Sequence, residues 1–323
     1  MEHAFRAALR TPVFSGLALA LLALAPVQPT AGRGSQSADA GVRPWTGRAA
    51  EIEAYLRTAP IVRTVRTDRG VTEPVRAFFA PGGPIGSMTW KAIPPGMSRG
   101  FYESYKSEIA AYELDKLLAL GMVPPKVERR VDGDLGVAVM WVDGVKSFAE
   151  LGGAPKPPPA RVARWNSEIA RAKMFHNLIG DLDPNLGNWL IDSEWRVTLI
   201  DQSRALTTTS QLVHELTRVD APLWARMRAL TLDELTRTLS PWLGKPEIEA
   251  ILERRDLMQK KIDAARLLRN EALVSAFRHR GEEEKDLLHV LGAAADPELV
   301  VLPRELQVDV LRPRALKQRR RPA

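Results

Sequence analysis

Five polar residues in the middle of the chain have side chains that suit a phosphorylated substrate and a divalent cation. Lys91 offers a point charge for phosphate oxygens, and Glu108 offers an acid that keeps such a lysine extended. Asp183 and Asn188 share one loop, and Asp201 follows them. A short loop lets the acid face an attacking hydroxyl group while the amide turns to a cation, and Mg²⁺ takes such oxygen ligands together with phosphates. The order of these residues predicts metal-assisted phosphoryl transfer.

Four of these residues also have a purely structural explanation. Lys91 is explained as a strand lysine whose ammonium group reaches solvent, and Glu108 as a solvated helix charge, with Glu113 as a competing acid. Asp183 is explained by turn chemistry and Asp201 by a helix cap. Independent surface and turn residues have no reason to occur in this order and spacing, so the joint pattern favours a site.

The hydrophobic pattern predicts the elements that position these residues. Three strands, a helix and a further strand are predicted over 61–67, 75–79, 87–93, 107–118 and 137–142. The third strand carries Lys91, and the helix carries Glu108. The lysine and the acid therefore belong to consecutive elements.

The second half of the chain is predicted to be mainly helical. Apolar residues at three- and four-residue steps predict a helix over 162–179, which a polar loop follows. A hairpin over 189–200 then ends in Asp201, and a long helix is predicted over 246–268. The prolines within 155–159 predict the connection between the two halves.

Several of these segments resemble a known family. Residues 107–118 and 121–125 resemble the regulatory-helix signature of the atypical secretory-pathway kinases, the group of the Golgi casein kinase, the xylose kinase of proteoglycan synthesis and four-jointed. Residues 175–188 and 199–205 are similar to the catalytic and metal segments of that family. The spacing of acid and amide in the loop is also shared by HipA-like and phosphatidylinositol kinases. The resemblance spans 62–266.

The resemblance implies an α+β, two-lobed protein-kinase-like fold. A small antiparallel-sheet N-lobe with one regulatory helix is expected over 59–142, and a mainly helical C-lobe over 143–280. ATP is implied as the nucleotide, with Mg²⁺ or Mn²⁺ as the metal. Carried over by position, Lys91 contacts phosphate and Glu108 orients Lys91 or a metal.

The remaining roles follow from the same resemblance. Asp183 is implied as the catalytic base, with Asn188 and Asp201 as metal ligands. Two residues are implied in the loop over the phosphates and three in the hinge strand against the adenine: Gly70 and Thr72, then Met140, Trp141 and Val142. The sequence departs from conventional protein kinases, because it has no G-x-G-x-x-G loop, no H-R-D before the base, and Gln202-Ser203 where Phe-Gly is usual. These departures leave the atypical group.

Composition excludes several other kinds of chemistry. The chain has no cysteine, which excludes disulfides, thiolate zinc sites, iron–sulfur clusters and a cysteine nucleophile. Much of the formal net charge of +7 comes from the end of the chain: Arg312, Arg314, Lys317, Arg319, Arg320 and Arg321. No basic face for specific nucleic-acid binding is predicted. The tail is expected to be solvated, or to contact acidic membrane headgroups or an acidic partner.

The two ends are expected to flank the lobes. Arg6 and Arg10 precede an uncharged run over 13–25, which predicts a signal peptide within 1–31 and a secreted or periplasmic protein. An uncleaved membrane anchor is the alternative. A linker is expected over 32–58 and a C-terminal extension over 281–323.

Two classes of function remain open from the sequence. The first is an exported kinase that transfers the γ-phosphate of ATP to a protein or glycan hydroxyl group. The second is a catalytically inactive kinase-like binding module in the cell envelope. The presence of Lys91, Asp183, Asn188 and Asp201 favours the active enzyme, because a binding module has no physical need for all four. The sequence does not distinguish phosphate transfer from AMP transfer on the same fold, because that difference depends on the orientation of the nucleotide.

Overall fold

The computed structural model describes residues 43–66, 74–183, 185–280 and 299–301. Three predicted features lie outside these ranges: the signal peptide, the basic tail, and Gly70 and Thr72 in the loop over the phosphates. Among the described residues, no helix has the length and apolarity that a membrane crossing requires.

The first part of the structure is an antiparallel sheet with two helices. Its elements are α1 (Ala49–Thr58), β1 (Ile61–Arg66), β2 (Val75–Phe79), β3 (Ser87–Lys91), β4 (Gly96–Ser98), β5 (Phe101–Glu103), α2 (Tyr105–Leu117), β6 (Lys126–Val131) and β7 (Asp134–Met140). Five strands form one sheet in the order β1-β2-β3-β7-β6, and β4 pairs with β5 in a separate hairpin. The predicted third strand ends at Lys91, earlier than expected.

The second part is mainly helical. Its elements are β8 (Val145–Ser147), α3 (Val162–Ile179), β9 (Trp189–Asp192), β10 (Val197–Leu199), β11 (Arg218–Asp220), α4 (Ala221–Ala229), α5 (Leu232–Leu239), α6 (Lys245–Arg280) and β12 (Leu299–Val301). A three-stranded sheet has the order β10-β9-β8. The predicted fold class, α+β with a small antiparallel-sheet part and a mainly helical part, is confirmed.

The two faces of the five-stranded sheet have different neighbours. Ala77 and Met88 face α1, where they join a core cluster with Leu56. Strand alternation places Lys91 on the opposite face, and its register partner Val137 packs with α2. The lysine of β3 therefore points toward the helix that carries Glu108.

Helix α2 is buried along most of its length because it packs between the two parts. Ser104 caps its start by accepting a hydrogen bond from the backbone N–H of Lys106. At its other end, the Asp115 carboxylate accepts hydrogen bonds from three successive amides that lead into β6. Burial raises the pKa of Asp115 to about 7, against the opposing effect of these amides. The helix is thus fixed at both ends.

The interpretation of the prolines within 155–159 as the connection between the two parts is wrong. β7 ends at Met140 in the five-stranded sheet, and Val145 already belongs to β8, which pairs with β9. The chain therefore passes between the sheets over 141–144, before the prolines within 155–159. Those prolines instead lead into α3, where Pro159 begins a short 3₁₀ turn.

Candidate functional site

Lys91, Glu108 and Asp201 form one cluster at the boundary between the two parts. The Nζ atom of Lys91 lies 2.9 Å from Oε1 of Glu108 and 2.8 Å from Oδ1 of Asp201. Glu108 is fully buried, whereas 31% of the Asp201 side chain is exposed. The cluster therefore has a closed side at α2 and an open side at Asp201. Glu113, the competing acid, pairs with Lys116 instead.

A second lysine completes the cluster, and sequence analysis did not identify it. Lys126, at the start of β6, donates hydrogen bonds to Oε2 of Glu108 and to Oε1 of Gln202, and its side chain is fully buried. Gln202 is also fully buried and directly follows Asp201 in the chain. Lys126 thus joins α2 to the segment that carries Asp201.

The two lysines differ in their electrostatic surroundings. Burial opposes the charge of Lys91, but Asp201 and Glu108 together outweigh it and raise its pKa. Burial has the larger effect on Lys126, which has Glu108 as its acidic contact, and lowers its pKa. Burial also disfavours the charged form of Glu108, yet the two ammonium groups hold the pKa of Glu108 well below its usual range.

The loop that carries Asp183 begins at a left-handed residue. Gly180 ends α3 with a φ of 60°, and a Cβ added there would lie 3.1 Å from the side chain of Arg254. Arg254 is fully buried and donates hydrogen bonds to the carbonyl groups of Leu178, Thr207 and Thr209. This arginine of α6 therefore fixes the start of the loop, and sequence analysis did not identify it.

Side chains within the loop set the direction of Asp183. Its backbone N–H donates to Oδ1 of Asp181 at 3.1 Å, and its own Oδ1 accepts from the N–H of Asn185 at 3.0 Å. Its Oδ2 lies 3.7 Å from a guanidinium nitrogen of Arg204. Arg204 is in turn paired with Glu103 of β5 at 2.6 Å. Neither Arg204 nor Glu103 was identified from the sequence.

Asn188 and Asp201 lie at neighbouring ends of the β9–β10 hairpin. The backbone N–H of Ile200 donates to the carbonyl oxygen of Asn188 at 3.0 Å, which holds the two segments together. Asn188 is buried, and its Nδ2 atom has no hydrogen-bond partner among the described residues. Asp201 adopts a left-handed φ of 61°, uncommon for a residue other than glycine, and its Oδ1 accepts from Ser203 at 3.2 Å.

The donor set at this end fits a hard divalent cation. The amide oxygen of Asn188 and the carboxylate of Asp201 are the kind of oxygen ligand that Mg²⁺ prefers. The unpaired buried Nδ2 of Asn188 is a hydrogen-bond donor, which an acceptor rather than a cation would complete. No group of three or more His, Asp or Glu side chains among the described residues forms a metal cage. A cation held by Asn188 and Asp201 would therefore take its other ligands from water and phosphate.

The predicted hinge residues lie where the chain leaves the sheet. The backbone N–H of Met140 donates to Pro125 and that of Trp141 donates to Ser87, so both amides are already paired. The guanidinium of Arg76 lies 3.9 Å from the ring centroid of Trp141. Val142 packs against the α1 side of the sheet. Their contact with adenine stays a prediction.

Comparison with known proteins gives structural similarity only. No protein-family model matches the chain, and no curated protein matches its sequence. Among solved structures, the chain is similar to the Golgi casein kinase with Mn and ADP bound, at 14% identity, over 65% of this chain and 74% of that chain, with a TM-score of 0.45. A second structure of the Golgi casein kinase is also 14% identical, over 73% of this chain and 78% of that chain, with a TM-score of 0.45. The Helicobacter pylori proinflammatory kinase CtkA is 11% identical, over 62% of this chain and 92% of that chain, with a TM-score of 0.41.

Proposed function

We propose that this protein is a phosphotransferase that uses ATP and a divalent cation. The observation that carries the proposal is the position of the Lys91 ammonium group between Glu108 and Asp201, at 2.9 Å and 2.8 Å. Glu108, which is buried, contacts the lysine on the α2 side, and Asp201, which is partly exposed, contacts it on the open side of the cluster. This arrangement suits a lysine that contacts phosphate beside a metal-binding carboxylate.

Each residue of the site has a defined task in the proposed reaction. Asp183 accepts the proton of the acceptor hydroxyl group as the new O–P bond forms and the bond between the γ-phosphorus and its bridging oxygen breaks, so that ADP leaves. Lys91 compensates the negative charge on the phosphate oxygens. Asn188 and Asp201 would hold the cation. When bound, the cation supplies charge neutralisation at the phosphates.

We propose a hydroxyl group of a protein or a glycan as the acceptor, and export as the setting. The resemblance of residues 175–188 and 199–205 to secretory-pathway kinases supports the acceptor class. Arg6, Arg10 and the uncharged run that follows support export. A panel of secreted proteins and glycans is therefore the appropriate set of acceptors.

The proposal is tested by comparing Asp201→Ala with the wild type in a turnover assay with ATP and Mg²⁺ or Mn²⁺. We expect Asp201→Ala to abolish cation-dependent turnover while its circular dichroism spectrum stays unchanged, because the side chain is partly exposed. Asp143→Ala is the matched control, since Asp143 is 79% exposed and outside the proposed cation site. Unchanged turnover in folded Asp201→Ala would contradict the assignment. ATP binding without turnover in the wild type would instead support an inactive binding module.

A further inference from the structure

Arg204 has a guanidinium group that two neighbouring side chains hold in place. Its Nε and Nη2 atoms lie 2.7 Å and 2.6 Å from Oε1 of Glu103, and its Cζ atom lies 4.5 Å from the ring centroid of Phe101. Glu103 is buried at the end of β5. The backbone N–H of Ser104 donates to the carbonyl group of Ser203 at 2.9 Å, which joins the two segments. The guanidinium group is therefore fixed through its Nε and Nη2 atoms.

The third guanidinium nitrogen of Arg204 lies beside the proposed catalytic base. Nη1 is 3.7 Å from Oδ2 of Asp183, which is too long for a hydrogen bond. Oδ1 of Asp183 accepts the backbone N–H of Asn185, so Oδ2 is the oxygen nearer to the guanidinium group. The side chains of Arg204 and Asp183 are 17% and 15% exposed, so both groups are accessible to a substrate.

The proposed reaction brings a phosphoryl group within reach of Arg204. A base accepts a proton from a hydroxyl group at about 2.6–3.2 Å, and that hydroxyl oxygen lies about 3.0–3.5 Å from the phosphorus that it attacks. The distance of 3.7 Å from Nη1 to Oδ2 of Asp183 is similar to these distances. A guanidinium group matches phosphate oxygens in both geometry and charge. The group in transfer would therefore lie between two fixed cations, Lys91 and Arg204.

We propose that Arg204 is a catalytic residue that contacts the γ-phosphate during its transfer, and that Glu103 is the positioning residue that holds it. This inference rests on the proposed function. The acceptor oxygen forms its bond to the γ-phosphorus and gives its proton to Asp183, while the bridging oxygen leaves with the electron pair of the broken bond as part of ADP. Arg204 stays protonated and compensates charge on the non-bridging oxygens of the phosphoryl group.

Affinity for two nucleotides tests the contact with the γ-phosphate. Calorimetry with Mg²⁺ compares Arg204→Met with the wild type for ADP and for the non-hydrolysable imido analogue of ATP, which has a γ-phosphate. Affinity for the analogue should fall by about tenfold, and affinity for ADP should stay within about twofold. Turnover should fall by about a hundredfold or more. Arg204→Lys should lie between Arg204→Met and the wild type, because it keeps the charge but not the planar fork.

The control is Arg57→Met, because Arg57 also pairs with a glutamate, Glu53, but belongs to α1 on the opposite face of the sheet from Lys91. Neither affinity nor turnover should change in it. An equal loss of affinity for ADP and the analogue in Arg204→Met would indicate a merely structural role and would overturn the proposal.

A double variant separates direct contact from an effect through the base. When Arg204→Met is added to Asp183→Asn, affinity for the analogue should again fall by about tenfold relative to Asp183→Asn alone, with ADP within about twofold. The reason is that the proposed contact does not pass through the carboxylate of Asp183. Disappearance of the effect in the Asp183→Asn background would show that Arg204 acts through the base, and would overturn the direct contact.

Failure of this proposal is distinguishable from failure of the proposed function. If the wild type binds ATP but transfers no phosphate, the proposed function is overturned, while the two affinities still decide whether Arg204 contacts the γ-phosphate. If the wild type is active and Arg204→Met binds the analogue equally well, the contact alone is overturned. Arg204→Met leaves the buried Glu103 without this cation. If that variant does not fold, Arg204→Met combined with Glu103→Gln takes its place in the same measurements.

Discussion

Lys91 and Asp201 form an ion pair of 2.8 Å between the sheet part and the helical part of the molecule. The pair joins the end of β3 to the residue that follows β10, so it depends on the correct packing of both parts. In the proposed function Lys91 contacts phosphate and Asp201 holds the cation. We therefore expect the ion pair between them to separate when nucleotide and cation bind.

Lys91→Met is expected to reduce turnover much more than nucleotide affinity. The ammonium charge is directed at oxygens whose negative character grows in the transition state, so we expect a loss of about a hundredfold in turnover. The loss in ATP affinity should be about tenfold or less. Calorimetry and a phosphate-release assay on the same preparations measure the two quantities.

The control for that prediction is Lys146→Met on β8, where the lysine is exposed. Neither affinity nor turnover should change in it. Equal losses of affinity and turnover in Lys91→Met would contradict a role specific to the transition state and would indicate uniform binding.

Arg254→Met is expected to destabilise the fold and the loop that carries Asp183. The substitution leaves the carbonyl groups of Leu178, Thr207 and Thr209 without their donor, which should cost about 3 kcal/mol or more of unfolding free energy. Urea denaturation measures the loss. Arg266→Met, at a position on α6 where 55% of the side chain is exposed, should change it by about 0.5 kcal/mol or less. Equal stability of the two variants would show that the buried arginine has no special role.

The buried histidine pair is expected to lower stability in mild acid, opposite in sign to the effect of the buried carboxyl groups of Asp115 and Asp181, whose pKa values burial raises. Burial and the nearby Lys173 lower the pKa of His214 to about 4, and its Nε2 lies 3.2 Å from Nδ1 of His176, whose pKa burial also lowers. Between about pH 6.5 and about pH 4 these two histidines bind protons in the unfolded chain but not in the folded chain, so their contribution to stability is lost as the pH falls through this window. The slope should be up to about 1.4 kcal/mol per pH unit for each histidine.

His214→Gln tests the sign and the source of this effect. Denaturation curves at about pH 7.5 and about pH 5 should show a smaller acid-induced loss in His214→Gln than in the wild type, because one of the two groups is removed. An identical pH dependence in wild type and variant would contradict the assignment to His214.

The sequence predicted the elements of the site better than the contacts that fix them. Lys91, Glu108 and Asp201 were placed correctly on a strand, a helix and a hairpin end, because hydrophobic periodicity reports such local structure. Lys126 and Arg254 could not be found in this way. Both are long charged side chains that are usually exposed, and only packing between distant segments reveals that they are buried. The same limit explains the wrong connection at the prolines, since a turn signal does not tell which sheet a strand joins.

The transfer of label from ATP tests the central claim most directly. Wild-type protein is incubated with the acceptor panel, Mg²⁺ or Mn²⁺, and ATP labelled at either the γ- or the α-phosphate. The account predicts label on an acceptor from γ-labelled ATP, none from α-labelled ATP, and loss of transfer in Asp183→Asn, which retains the shape of the side chain but not the base. Transfer from α-labelled ATP would establish AMP transfer instead, and undiminished transfer by Asp183→Asn would contradict the assigned base.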